Sequence, residues 1–262
     1  MSIFNKNPQD NLNAILNWKM DNGLGQIDQY IDRQIASDFN HMGKAFLANS
    51  MISLIEIVNH NNYSNEADTL IFPILFSIWH SFELLLKSGI LALDILGDPS
   101  SIGTHRPEIG HKINDLFSRF EVKLTTLGLV GCKQNYLKNI EIMLSDLDGK
   151  NARFDFGRYS YDLKLNPQFY NQTDTSKRIT QNTYVNIQTL IESLLLIIND
   201  FVKLIDELNL RIEYLDNTST ITIKDNDIDS GIQYTEKISE ELDQILELDN
   251  NNFYEYVKKH LM

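Results

Sequence analysis

The sequence predicts an all-α fold, on three observations. Long segments, above all 27–60 and 175–208, repeat apolar residues at the three- and four-residue spacing of a helix face. The stretch Phe72–Lys87 is apolar almost throughout, as in a helix buried on most sides. Alternation of the kind a strand needs is read only at 211–224.

In chain order, 9–20 reads as a short helix interrupted by Gly23 and Gly25. A long helix follows from about Ile27 to His60, with Ile31, Ile35, Phe39, Met42, Phe46, Met51, Leu54, Ile55 and Val58 at helical spacing. Asn59 to Asn65 is a polar turn. The central helix covers about 71–96. Pro73 falls in its first turn, where a missing N–H costs nothing, and Gly97-Asp98-Pro99 stops it. After a loop at 100–104, a helix from about Pro107 to Phe120 turns Ile113, Leu116, Phe117 and Phe120 inward. Residues 122–130 form a turn or short helix, and Gln134 to Leu147 is helical through Leu137, Ile140 and Leu144. Asp148 to Asn171 breaks the pattern. Its aromatic rings, charges, Gly149, Gly157 and Pro167 read as an ordered loop with short extended pieces on the helical scaffold. A helix over 175–208 comes next. Then come a β-hairpin at 211–224 around Asp216-Asn217-Thr218-Ser219 and an acidic amphipathic helix at 234–260. The composition shift near 210 separates a helical domain, 1–209, from a hairpin-and-helix appendage, 210–262.

At 42% hydrophobic and 23% charged residues, the composition is that of an ordinary soluble globular protein. Met1 to Gln29 is polar and mixed in charge, unlike a secretion signal. No stretch approaches the roughly 20 uninterrupted apolar residues of a membrane span. The expectation is a cytoplasmic protein with no membrane partner. Cys132 is the single cysteine, so no intramolecular disulfide can form. With histidines so scattered, no zinc site, other metal site or cofactor is expected. The net charge of −13 argues against broad electrostatic binding to DNA or anionic membranes. The charge is uneven. Residues 225–262 hold ten acidic residues against three basic ones, whereas 150–178 hold six basic against three acidic, so the latter is where a polyanion would bind.

Three constellations could carry chemistry. His80, Glu83 and Lys87 share one face of the central helix, where a buried Glu and Lys must be paired or hydrogen-bonded; a structural ion pair and a site both fit. Arg106 and His111 flank Pro107-Glu108-Ile109-Gly110. A histidine near neutral pKa can move a 2′-hydroxyl proton and an arginine can hold a phosphate, while the plainer reading is a histidine packing at a helix start. Arg153, Arg158, Tyr159 and Asp162 lie in the aromatic loop. They would bind a phosphate and stack a base, or pin the loop through arginine–carboxylate pairs to Glu83, Asp155 or Asp162.

Together these stretches resemble the HEPN-like helical proteins of bacterial anti-phage, abortive-infection and toxin–antitoxin systems. The resemblance rests on His80-Ser81-Phe82-Glu83-Leu84-Leu85-Leu86-Lys87, Gly110-His111-Lys112-Ile113-Asn114-Asp115-Leu116 and Phe156-Gly157-Arg158-Tyr159-Ser160-Tyr161-Asp162, and spans about residues 27–208. It implies an antiparallel helical bundle, often a homodimer. For active members it implies metal-independent endoribonuclease activity from an arginine and a histidine spaced as Arg106 and His111 are. In active members that motif lies within one helix, whereas Pro107 sets Arg106 ahead of a helix.

Three functions follow as expectations. The first is a ribonuclease with His111 as acid/base, Arg106 or Arg158 as phosphate clamp, and His80 and Glu83 orienting the site. Lys87, Arg153, Arg158, Tyr159 and Asp162 are its substrate-binding set. The second is a non-catalytic interaction module whose acidic C-terminal region contacts a basic protein partner. The third is a sensor that holds a nucleotide uncleaved.

Overall fold

The computed structural model describes residues 31–63, 65–148, 184–215, 223–234 and 250–262. The helix expected at 9–20, the aromatic loop with Arg153, Arg158, Tyr159 and Asp162, the start of the helix expected from 175, and the hairpin tip lie outside these residues. So does 235–249, the larger part of the acidic helix expected at 234–260.

The described residues are helical, with no strand among them. They form α1 (Ile31–Asn59), α2 (Glu66–Gly97), α3 (Ile113–Thr126), α4 (Val130–Tyr136), α5 (Lys138–Asp148), α6 (Ile187–Ile197), α7 (Lys203–Glu213), α8 (Asp225–Tyr234) and α9 (Asn250–Leu261). A π-helical turn, Ile198–Val202, joins α6 to α7, so this is one long helix with a local bulge.

The chain is organised around α2. Every residue from Ser81 to Leu93 is buried. By length and composition α2 is apolar enough to cross a membrane. Here α1, α3 and α7 pack on it instead. It begins earlier than expected, at Glu66, so Pro73 lies two turns inside rather than in the first turn. Those opening turns, 65–73, are largely exposed, so the hydrogen bond that Pro73 removes is lost where water can replace it.

α1 runs antiparallel to α2. Ser50 donates to the Ile74 carbonyl at 3.4 Å, Gly43 faces Leu85, and Ser88 donates to the Ala36 carbonyl at 2.8 Å. Asn61, Asn62 and Asn65 make the turn between them with positive φ, which asparagine tolerates. In the first half of α1 the buried face is rotated from the apolar stripe, whereas Met51, Leu54 and Ile55 of that stripe are buried. Asp32, Ala36, Asn40 and Gly43 point inward, while Met42 is about half exposed. Small and polar residues are selected there because the helices approach closely: a Cβ on Gly43 would sit 2.8 Å from a Leu85 side-chain carbon.

α3 runs parallel to α2, a departure from an antiparallel bundle. Phe120 packs at Gly89, Lys123 pairs with Asp94, and Leu127 lies at Gly97. The connection 98–112 must therefore travel back along α2 before α3 starts. Buried Asp32 holds it part-way, accepting from the Gly103 N–H at 2.7 Å. The helix expected from Pro107 starts only at Ile113, because Pro107 and Gly110 disfavour helix in the returning strand of chain. Gly128, at φ 77°, then stops α3 and turns the chain into α4, and a break at Leu137 divides the helix expected at 134–147.

The hairpin expected at 211–224 is corrected on its first arm. Residues 211–213 are the last turn of α7. Leu204, Leu208 and Ile212 are buried at four-residue spacing, and Arg211 pairs with Glu207 one turn back at 2.7 Å. The apparent alternation of Ile212 and Tyr214 is a helix end followed by an exposed ring. α8 then docks on α4. Asp225 accepts from the N–H groups of Gly131 and Cys132 at 2.9 and 3.1 Å, and the Tyr136 hydroxyl donates to Asp229 at 2.7 Å. Ile228 and Ile232 of α8, and Tyr256, Val257 and Leu261 of α9, join the same apolar core as α1 and α2.

Candidate functional site

Glu83 sits mid-way along α2, with 2% of its side chain exposed. Its partners come from two directions. Lys87, one turn on and equally buried, donates to Oε1 at 2.7 Å. From the returning connection, His111 brings Nδ1 to the same oxygen at 2.8 Å. The parallel course of α3 makes this contact possible. From Gly97 the chain returns about fourteen residues along α2, roughly 20 Å at 1.5 Å per residue.

His80, one turn before Glu83, places Nδ1 3.8 Å from Oε2, a separation longer than a hydrogen bond. Its ring is packed edge-on by Phe46 of α1, centroids 4.7 Å apart, and stacked on Phe76. His80 is thus fixed by aromatic packing, whereas the His111 side chain is 68% exposed.

Burial alone would push the Glu83 carboxyl up. The contacts from His80, Lys87 and His111 outweigh it and hold the pKa down to about 2. Glu83 is therefore a carboxylate under all ordinary conditions, and a carboxylate only accepts hydrogen bonds. It follows that His111 Nδ1 carries the proton and, in the neutral ring, Nε2 carries the lone pair. A buried anion that fixes the tautomer and orientation of an exposed imidazole is an arrangement that acid/base chemistry can use.

The structure thus gathers His80, Glu83, Lys87 and His111. It does not bring in Arg106. That guanidinium donates to the neighbouring His105 carbonyl at 3.2 Å, and among the described residues no hydrogen bond or ion pair joins it to His111 or Glu83. Arg153, Arg158, Tyr159 and Asp162 lie outside the described residues. Cys132 is buried at the start of α4, and burial together with neighbouring Asp225 pushes its thiol up, which disfavours the thiolate a nucleophile needs.

Sequence reasoning missed the ring pair that grips His80. It also missed a second polar cluster, between α1 and α7, where Lys44 pairs with Asp206 at 2.9 Å and Asn40 donates to the same carboxylate at 2.7 Å. The signal was there. Asn40 and Lys44 are one turn apart on α1, and Asn40 falls on its buried face. Two cavities, of about 550 and 310 Å³, adjoin this second cluster, and neither is lined by His80, Glu83, Lys87 or His111.

No protein-family model, curated protein or solved structure matches the chain. What can be said of its activity rests on the geometry of these side chains.

Proposed function

We propose that this chain is a HEPN-like, metal-independent endoribonuclease of a bacterial defence or toxin system, cytoplasmic and acting as a homodimer. One observation carries the reading: an exposed histidine, His111, held through Nδ1 by a buried Glu83 whose carboxyl is held well below the usual range. In this reading His111 Nε2 takes the proton of an RNA 2′-hydroxyl. The freed oxygen attacks the adjacent phosphorus, the bond to the 5′-oxygen breaks, and that oxygen leaves with a proton from water. The products are a 2′,3′-cyclic phosphate and a 5′-hydroxyl end. Lys87 keeps Glu83 ionised from below, and His80 lies beside its second oxygen. Arg106, exposed five residues before His111 in the same connection, and Arg158, with Arg153, Tyr159 and Asp162, are the proposed phosphate- and base-binding groups.

The test is incubation of the purified full chain with total RNA in EDTA. Wild type should cut RNA, leave cyclic phosphate ends and spare DNA, which lacks the attacking hydroxyl. His111→Ala should lose at least a hundredfold in rate while keeping its circular dichroism. Arg106→Ala and Arg158→Ala then tell which arginine clamps the phosphate. Light scattering should give about twice the 30.3 kDa of one chain.

A second reading has its own observation. His80 is enclosed by Phe46 and Phe76, and Glu83 latches the connection 98–112 onto α2 through His111. A cluster whose only task is that latch would belong to a non-catalytic module that binds a nucleotide or a basic protein through other surfaces. RNA left intact by wild type, together with a fall in stability on His111→Ala, would select it.

A further inference from the structure

The connection that returns along α2 carries two cations that the protein itself does not use. Its ends are fixed: buried Asp32 holds Gly103, and Ile113 is buried at the start of α3. Between them residues 105–112 run in neither helix nor turn. Among the described residues none of their main-chain N–H groups donates to a main-chain carbonyl. Two side-chain contacts tie the segment down, Glu108 with Arg119 of α3 and His111 with Glu83 of α2.

The other charged groups of the segment are Arg106 and Lys112, both exposed. Elsewhere Lys44, Lys87, Lys123, Lys133 and Arg211 each pair with a carboxylate. Arg106 reaches only the His105 carbonyl. Lys112 makes no side-chain hydrogen bond or ion pair among the described residues, although Asp115 lies three residues on. Glu108, the one acid of 105–112, is taken by Arg119. A chain of net charge −13 thus keeps two cations without a carboxylate partner on either side of His111. Between them Ile109 is 86% exposed. A Cβ added at Gly110 would meet nothing within 4 Å, so the approach to His111 is open there.

We propose that Lys112, together with Arg106, holds the phosphates of a single-stranded RNA along this segment, with Lys112 on the phosphate next to the hydroxyl that His111 deprotonates. The proposal rests on the ribonuclease reading for its substrate class and adds Lys112 to the arginines named there. Negative charge grows on the phosphate as the oxygen attacks, and an ammonium beside the histidine stabilises it. Lysine acts as a point charge with three donors, so it needs no bidentate geometry. Arg106 lies six residues away, at most about 20 Å along the chain, which is the reach of a few nucleotides. Ile109 offers apolar surface to a ribose or base between the two phosphates. An acidic peptide brings the same charge but no hydroxyl for His111 Nε2 to deprotonate, so RNA is favoured.

The experiment reads binding rather than cleavage. A labelled 2′-O-methyl oligonucleotide, which lacks the attacking hydroxyl, is titrated with the full chain between 50 and 200 mM salt and followed by fluorescence anisotropy. Wild type should bind saturably. Lys112→Gln and Arg106→Gln should each weaken binding about fivefold at low salt and lower the slope of log affinity against log salt by about 1. Lys138→Gln, the same charge change at an exposed lysine of α5, should leave affinity within twofold. No saturable binding by wild type, equal weakening by Lys112→Gln and Lys138→Gln, or an oligoglutamate of equal charge that binds as tightly would each overturn the proposal. RNA left uncut by a wild type that still binds through Lys112 would remove the ribonuclease reading and leave this one. RNA cut and bound equally by wild type and Lys112→Gln would do the reverse.

Discussion

Two acid–lysine pairs in this molecule differ chiefly in where they are buried. Glu83–Lys87 joins consecutive turns of α2 at 2.7 Å, with 2% and 7% of the side chains exposed. Lys44–Asp206 joins α1 to α7 at 2.9 Å, with 18% and 37% exposed. The chemistry is the same and the distances are nearly so. In the first pair both charges are out of water, so each depends on the other. In the second, water shares the load, and the surrounding amide oxygens rather than the ions are left unsatisfied. Depth turns the first pair into a rigid post that orients a histidine, and shallowness leaves the second as the wall of a cavity.

The comparison can be broken by deleting one partner of each pair. Glu83→Ala leaves buried Lys87 without its anion and should cost about 3–5 kcal/mol in urea denaturation. A cost below 1 kcal/mol would mean that water reaches the site. Acid is the next largest lever. The folded pKa of Glu83, near 2, lies below its ordinary 4.5. Its contribution, about 3 kcal/mol, is therefore fully present above about pH 5 and lost as the pH falls from there through 2. A Glu83→Gln protein should lack that part of the acid dependence.

On the other side, Lys44→Met leaves Asp206, 37% exposed, within reach of water and should cost about 1 kcal/mol or less. A loss as large as that of Glu83→Ala would erase the distinction. Smallest of all, His111→Ala should change stability by less than about 1 kcal/mol, because its ring is mostly in water. Its effect is expected on RNA cleavage instead.

Much of the first region could be read from sequence. An apolar helix that keeps Glu83 and Lys87 four residues apart must pair them, and it does. The likeness of His111 to a site residue was also legible, but its meeting with Glu83 was not. Periodicity gives the faces of helices and not their directions, and it is the parallel return of α3 that brings residue 111 back to residue 83. The second region escaped for another reason. On the first half of α1, small and polar residues occupy the buried face because α2 and α7 come close, and the apolar stripe reaches the core fully only from Met51 on. The strand pattern at 211–214 failed because two apolar residues at the end of a helix can mimic alternation. The aromatic loop with its arginines remains an expectation from sequence, since it lies outside the described residues.

The central claim is that a buried carboxylate dictates which nitrogen of His111 bears the proton. Nitrogen-15 NMR of the wild-type protein at pH 8 reads the tautomer directly. Protonated Nδ1, with the lone pair on Nε2, is the predicted result. A His111 protonated on Nε2 would place a lone pair against the Glu83 carboxylate at 2.8 Å, and would contradict the account.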